Sequence, residues 1–221
     1  MPHFSDTSKM PCLSWGIPAN LCKIGRRLRE SGKSGGKLTP CTYCYCFSGR
    51  ISFSNVQKKL QGNWEEYKEN PNEWVKAMER EIKRRSLLYF RFFHSGDLQS
   101  LEMLEKIVEI ALRCEKVYFW LPTQERPIVK SFLKRGGMIP DNLNVRISSP
   151  LVDVPQETKL NGLTASFVSL EVKAGFECPA QFQNGNCDLC RACWEKEVDL
   201  ISYPLKSGKH YRPKTAKHRK K

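Results

Sequence analysis

Residues 87–93 read LLYFRFF, a nearly continuous apolar run that is followed directly by HSGD at 94–97. A short apolar run of this kind is typical of a strand buried on both faces of a parallel sheet. Ligands bind in open parallel sheets beyond the carboxyl ends of the strands, which is where such polar residues lie. Residues 87–97 therefore predict both a central strand and one edge of a functional site.

Strands and helices alternate after this run. Helices are predicted from Asp97 or Ser100 to about Arg113, and from Thr123 to Lys134. Three more strands are predicted at residues 116–121 (KVYFWL), 144–149 (NVRISS) and 164–170 (TASFVSL). Short links between alternating strands and helices indicate βαβ units. The predicted fold class is α/β, with a parallel sheet.

The part of the chain before residue 87 is less regular. Residues 51–86 have a helical pattern, with Asn72 as a cap. Residues 11–50 show little regular pattern, so we expect a flexible loop between Cys22 and Cys41 and no strand ahead of Cys22.

Two groups of cysteines lie far apart in the chain. Residues 178–194 read CPAQFQNGNCDLCRACW, which is C-x8-C-x2-C-x2-C, and Cys22 precedes a C-x2-C pair at Cys41 and Cys44. Two-residue spacers let thiolates converge on one centre, and C-x2-C-x2-C with a remote Cys-Pro is typical of cubane iron–sulfur ligands. Zinc is the alternative, because C-x2-C pairs also build tetrahedral zinc sites. The cysteine-rich segments, residues 12–46 and 178–194, are therefore predicted to bind metal.

The composition indicates a globular protein in a reducing compartment. The chain has 221 residues, 40% of them hydrophobic, which is enough for one domain over residues 1–205. No stretch approaches the roughly 20 apolar residues of a membrane span, and the first residues lack the apolar segment of a secretory signal. We therefore expect a cytoplasmic protein whose ten cysteines serve metals rather than disulfides.

The positive charge is concentrated at the end of the chain. Of a formal net charge of +14, eight Lys or Arg residues fall within residues 206–221, which contain no Asp or Glu. This segment is predicted to be a disordered tail that either improves solubility or contacts nucleic acid.

Polar residues at the predicted strand ends are candidates for catalysis. We expect His94, Asp97 and Glu125 to face a small-molecule substrate and to transfer protons or anchor a cofactor. The alternatives are structural: a histidine just past a strand end often only packs, and Asp97 can serve as a helix N-cap.

Together with the cysteines, a set of short motifs resembles the phage-encoded "gene product eighty-eight" family over nearly the whole chain apart from the basic tail. The motifs are SKMP (8–11), SWGIPA (14–19), HSGDLQS (94–100), WLPTQE (120–125), VRISSP (145–150) and SYPL (202–205). The resemblance implies a viral protein whose metal ligands are Cys22, Cys41, Cys44, Cys178, Cys187, Cys190 and Cys193. Cys12, Cys46 and Cys114 do not match the family's cysteine pattern, although spacing alone permits Cys46 as a ligand.

A looser similarity is to radical S-adenosylmethionine enzymes, because Cys41 and Cys44 enclose Thr and Tyr as in their cysteine loop. It implies a partial β/α barrel in which Cys22, Cys41 and Cys44 hold a 4Fe-4S cluster with one open iron. Ser95, Gly96 and Asp97 would hold the amine of S-adenosylmethionine, and the C-terminal cysteines would hold a second cluster. The chain departs from these enzymes in the eighteen residues between Cys22 and Cys41, where three are usual.

Three functions follow as hypotheses. The first is an iron–sulfur enzyme, radical S-adenosylmethionine-like or otherwise redox-active, with an unknown substrate and one or two 4Fe-4S clusters. The second is a non-catalytic iron–sulfur regulator that binds nucleic acid through residues 206–221. The third is a structural zinc protein.

Overall fold

The computed structural model describes residues 1–7, 9–156 and 163–205. The basic segment 206–221 lies outside the described residues, so its disorder and its nucleic-acid contact stay predictions.

A single sheet forms the centre of the molecule. Within the described ranges it has eight strands in the order β1-β2-β3-β4-β5-β6-β8-β7. β1 is antiparallel to β2, and all the other neighbouring strands are parallel. The strands are β1 Ser5–Asp6, β2 Leu13–Trp15, β3 Tyr89–Phe92, β4 Tyr118–Thr123, β5 Leu143–Val152, β6 Thr164–Ser169, β7 Phe176–Glu177 and β8 Leu200–Pro204. The predicted α/β class with a parallel sheet is confirmed.

Five α-helices occur in the described part of the chain. They are α1 Lys23–Lys33, α2 Ser54–Glu69, α3 Pro71–Arg84, α4 Leu101–Arg113 and α5 Arg126–Lys134. Short 3-10 turns carry several of the cysteines or lie beside them, at Ala19–Leu21, Pro40–Tyr43, Tyr45–Phe47, Gly49–Ser52 and Pro179–Phe182.

The two faces of the sheet are covered by different parts of the chain. Phe90 and Phe119 point to one face, where they join the apolar core with buried residues of α3, α4 and α5. On the other face, the ring of Trp194 packs edge-on against Tyr89 and Trp120, with centroids 5.5 and 5.4 Å away. Its Nε1 donates a hydrogen bond of 3.0 Å to the Phe90 carbonyl. The C-terminal cysteine segment therefore covers the face that the helices leave open.

The order of the strands explains this division. From β2 to β6 it follows the order of the chain, and right-handed crossovers between consecutive parallel strands place their helices on one face. The described strands form an open sheet that ends at β1 on one edge and at β7 on the other. A partial barrel stays a prediction.

Two predictions for the N-terminal region were wrong. β2 lies ahead of Cys22 and pairs in parallel with β3, but with three residues it is too short to show an apolar run. The segment between Cys22 and Cys41 is not simply a flexible loop, because it contains the eleven-residue helix α1. Gly25 and Gly32 weaken the helical pattern there.

Two predicted helix starts were displaced, and for α4 one of the two predicted alternatives was confirmed. Asn70, not Asn72, caps α3, because its side chain accepts bonds from the N–H groups of residues 72 and 73 and proline occupies the first helical position. Ser100 rather than Asp97 caps α4. α5 begins at Arg126 because Thr123 is the last residue of β4 and its hydroxyl donates to Asp97.

The loop after β3 requires glycine at position 96. Gly96 has φ +79°, and a Cβ there would lie 2.4 Å from Ile17 Cγ1, whereas Gly136 has φ +82° and open space around it. We expect Gly136→Ala to cost about 1 kcal/mol for the left-handed backbone. We expect Gly96→Ala to cost roughly 1–3 kcal/mol more, because of the overpacking. Urea unfolding of both variants checks this, and equal losses would contradict the packing argument.

Candidate metal centres at the edge and on one face of the sheet

Three cysteines gather at the carboxyl edge of the sheet, and we call Cys22, Cys41 and Cys44 the edge thiols. Cys22 Sγ lies 2.7 Å, and Cys41 Sγ 3.7 Å, from the point where a Cβ on Gly25 would stand. Burial raises the pKa of Cys41 to about 12, and the neighbouring Cys44 adds to that shift. Burial likewise raises the pKa of Cys22, with smaller contributions from Cys41 and Cys44. Folding therefore brings these three distant residues into one neighbourhood.

Local hydrogen bonds hold the edge thiols in place. Cys22 is the N-cap of α1, and its Sγ accepts a bond of 3.3 Å from Gly25 N. Cys41 lies in the 3-10 turn Pro40–Tyr43, which Thr39 and Thr42 close with reciprocal capping bonds. Thr39 Oγ1 also donates to the Leu28 carbonyl at 3.1 Å, so the turn is docked on α1.

Asp97 is buried beside the edge thiols and joins the ends of two strands. Its Oδ1 accepts from Thr123 Oγ1 at 2.6 Å and from Leu98 N at 2.8 Å, and its Oδ2 accepts from Gln124 N at 2.9 Å. Burial outweighs these bonds and raises the pKa of Asp97 to about 6. The carboxylate in turn raises the pKa values of Cys22 and Cys41. Asp97 therefore fastens β3 to β4 and places a titratable group next to the thiols.

The other predicted catalytic residues are held by structural contacts. The Nδ1 of His94 lies 3.1 Å from Ser14 Oγ, and burial lowers the pKa of this imidazole to about 4, so it is neutral at pH 7. Glu125 Oε1 accepts a bond of 3.4 Å from Ile24 N in the first turn of α1. Their roles in catalysis stay predictions.

Ser95 and Gly96 are packed against the loop that follows β2. The Ser95 carbonyl accepts a bond of 3.1 Å from Ile17 N, and Gly96 touches the same residue. The predicted cofactor-binding loop therefore has a fixed position at the strand edge, beside Asp97.

A second group of cysteines lies over the open face of the sheet, and we call Cys178, Cys187, Cys190 and Cys193 the face thiols. Burial raises the pKa of Cys193 to about 12, and Cys178 and Cys187 contribute to the shift. The pKa of Cys187 is raised mainly by burial and also by Cys178 and Cys190. Cys12 belongs to this neighbourhood as well, because Cys187 and Cys193 raise its pKa.

Positive charge surrounds the face thiols. Arg146 is fully buried, and its guanidinium donates to the carbonyls of Ala165, Ala192 and Glu195 at 2.8, 3.2 and 3.2 Å. It forms no ion pair with a described residue. Burial lowers the pKa of the guanidinium, and Tyr203, Cys193 and Asp199 raise it in the opposite direction. The other cations that act on this group are Lys9, Arg91 and Arg191.

The two groups are separate in their electrostatics. The cysteines that shift the pKa of an edge thiol are edge thiols or Cys46, and those that shift a face thiol are face thiols. As placed, no three His, Cys, Asp or Glu side chains of the described residues could hold a single metal ion.

Two further cysteines lie outside the predicted ligand sets, and Cys46, which spacing alone permits as a ligand, stands beside the edge thiol Cys44. Cys46 is buried, and its thiol donates to the His94 carbonyl over 3.7 Å. A hydrogen bond from Cys46 also lowers the pKa of Cys44 to about 7. Cys114 caps the end of α4 and packs in the main core.

Sequence reasoning missed three residues of the second group. They are Cys12, Arg146 and Tyr203, whose hydroxyl lies 3.2 Å from Cys193 Sγ. The motifs VRISSP and SYPL contain two of them, and an arginine in the middle of an apolar strand is the signal that was available.

The fold and the two cysteine groups define a class: an α/β protein with thiols at the carboxyl edge and on the open face of a parallel sheet. The chain belongs to the Gene product 88 family, whose family model matches residues 4–196. Neither the curated proteins nor the solved structures include a significant match. No helix among the described residues is long and apolar enough to cross a membrane.

Asp97 should give the stability of the chain a measurable pH dependence. Because its pKa is raised to about 6, the folded chain retains a proton that the unfolded chain loses near pH 4. This contribution to stability is present at about pH 4 and is lost as the pH rises through about 6. We expect the difference in the free energy of unfolding between the native chain and Asp97→Asn to fall by roughly 2–3 kcal/mol as the pH rises from about 4 to above 6. Chemical denaturation at several pH values tests this, and a difference that stays flat or rises would contradict it.

Proposed function

We propose that this chain is an iron–sulfur protein with two separate 4Fe-4S centres. The edge thiols would hold one cluster with three protein ligands, and the face thiols would hold the other with four. We further propose that the edge centre is the reactive one, in a radical S-adenosylmethionine-like or other redox enzyme acting on a small molecule in the host cytoplasm.

The observation that carries the proposal is the buried Arg146. A buried cation without a paired anion is costly, and the carbonyls that it contacts carry no net charge. Asp199 acts on Arg146 electrostatically but forms no ion pair with it. Thiolates bound to metal are anionic, and they would add negative charge beside Cys193. The cations at Lys9, Arg91 and Arg191 fit the same requirement.

The donors of both groups also suit a bound cluster. Sulfur ligands of clusters commonly accept hydrogen bonds that tune their potential. Cys22 Sγ accepts one from Gly25 N, and the Tyr203 hydroxyl lies within hydrogen-bond distance of Cys193 Sγ. The raised thiol pKa values mean that deprotonation would accompany metal binding, as is usual for thiolate sites.

Zinc is the competing metal, because C-x2-C pairs also build tetrahedral zinc sites. A cluster is proposed instead because three cysteines run together as C-x2-C-x2-C at 187–193 and a Cys-Pro precedes them at 178, which is typical of cubane ligands.

The edge centre is proposed as reactive because three thiolates leave one iron without a protein ligand. When bound there, the cluster would supply a Lewis-acidic, redox-active metal. Ser95 and Gly96 would hold the amine of S-adenosylmethionine through the fixed loop after β3. Asp97 would hold or release a proton near neutral pH, since its pKa is about 6. Glu125 would keep α1, and with it Cys22, at the strand edge.

Counting iron and sulfide per chain tests the two centres. We expect about eight irons and eight sulfides in anaerobically purified protein, and about four of each in Cys22→Ala and in Cys187→Ala. Cys114→Ala is the matched control, because it removes a buried thiol outside both groups and should keep all eight. Stoichiometric zinc in place of iron would establish a zinc protein instead. Complete loss of iron in either variant would indicate one shared centre.

Spectroscopy tests the open iron of the edge centre. We expect S-adenosylmethionine to change the EPR signal of reduced native protein and of Cys187→Ala, but not of Cys22→Ala. A signal that no added ligand changes would contradict a reactive edge centre. In that case, loss of salt-sensitive nucleic-acid binding on deletion of residues 206–221 would favour the non-catalytic regulator.

A further inference from the structure

An open cavity of about 470 Å³ lies between helices, close in sequence to the edge thiol Cys22. Its walls come from the start of α1, the end of α2 and the start of α4, and Leu21 and Lys23, which flank Cys22, both line it. Ligand pockets for small molecules typically measure about 300–1,000 Å³. No residue assigned above to either thiol group lines this cavity.

The charge of the cavity is predominantly positive. Among the described residues that line it, Lys23, Arg26 and Lys68 stand against one carboxylate, that of Glu102. None of the three cations forms an ion pair with another described residue. The Lys23 ammonium and the Arg26 guanidinium are therefore available to an anion, and the Lys68 ammonium makes only a cation–π contact with Trp64. Phosphate is an anion that Lys and Arg commonly bind in proteins.

One wall of the cavity is aromatic and rigid. Trp64 stacks on Tyr67 with centroids 5.8 Å apart and an interplanar angle of 24°. Tyr67 is in turn fixed edge-on against the buried Trp74 at 5.2 Å. The Trp64 side chain remains partly exposed, and the Lys68 ammonium lies over its ring at 5.7 Å from the centroid. A flat ring that stacks on Trp64 would therefore displace this flexible ammonium.

We propose that this cavity binds a nucleotide unit. Its phosphates would contact Lys23, Arg26 and Lys68, and its base would stack on Trp64. Gln99 and Ser100 also line the cavity. Gln99 Nε2 donates to the Asp97 carbonyl and Ser100 Oγ accepts from Met103 N, so the side-chain carbonyl of Gln99 is the polar group offered to the sugar or the base. The same chemistry is present in a free nucleotide and at the end of a single strand. The proposal does not depend on the metal content of the chain.

The cavity also discriminates against S-adenosylmethionine. That molecule has an adenine ring but carries a positive sulfonium and no phosphate, so three unpaired cations disfavour it. Nucleotide binding at this cavity and cofactor binding at the edge thiols are therefore separable.

Titration of the full-length, anaerobically purified chain tests the site. The probes are adenosine triphosphate, inorganic phosphate and a single-stranded oligothymidylate, and calorimetry measures the binding of each. We expect adenosine triphosphate to bind with one-to-one stoichiometry, more tightly than phosphate, and more weakly as salt increases. Arg26→Ala and Lys68→Ala should each weaken binding about tenfold, and Trp64→Ala should do the same by removing the stacking surface. Glu102→Gln should tighten binding, because it removes the carboxylate that the described part of the lining contains.

Lys33→Ala is the matched control: it removes a cation of α1 that does not line the cavity, so it should leave affinity unchanged. If oligothymidylate competes with adenosine triphosphate and the same variants weaken its binding, the natural ligand is the end of a nucleic-acid strand rather than a free nucleotide. Failure of both the nucleotide and the oligonucleotide to bind would overturn the proposal. So would affinities that Arg26→Ala, Lys68→Ala and Trp64→Ala leave unchanged.

Discussion

The buried guanidinium of Arg146 is the constraint on which the architecture of the open face depends. Its hydrogen bonds to carbonyls of β6 and of the C-terminal segment attach that segment to the sheet. Sequential parallel strands leave one face without helices, and some other part of the chain must cover it. The cysteine segment provides that cover, with Trp194 as the apolar contact and Arg146 as the polar one. Anionic thiolates would complete this arrangement by balancing the buried charge.

The edge of the sheet follows a different principle. There the buried ionisable group is a carboxylate, Asp97, which joins the ends of β3 and β4 through its hydrogen bonds. The same carboxylate adds to the effect of burial in raising the pKa values of Cys22 and Cys41. Burial and the neighbouring carboxylate make Cys22 and Cys41 resist ionisation, whereas the pKa of Cys44 is lowered to about 7. A bound metal cation would therefore have to deprotonate Cys22 and Cys41. The contrast between the edge and the open face is the physical basis for assigning the two groups different roles.

Residues that form long regular elements were predictable from the sequence. The apolar run at 87–93 and the three later strands emerged because a buried parallel strand needs continuous apolar residues. β2 was not predicted, because three residues are too few to show a strand pattern. α1 was not predicted because its two glycines and its many charged residues weaken the helical pattern. The seven cysteines predicted as ligands came from the resemblance to the family's cysteine pattern, and their division into two groups was also a prediction. The part of the sheet that each group reaches could not be read from the sequence. Arg146 and Cys12 were missed because their partners are remote in sequence and are main-chain groups or other thiols.

The central claim is that the cysteines form two separate iron–sulfur centres rather than one. Anomalous diffraction at the iron absorption edge, from crystals grown without oxygen, tests it most directly. The account requires one iron peak beside Cys22, Cys41 and Cys44, and a second among Cys178, Cys187, Cys190 and Cys193. A single peak bridging the two groups, or no iron at either of them, would contradict it.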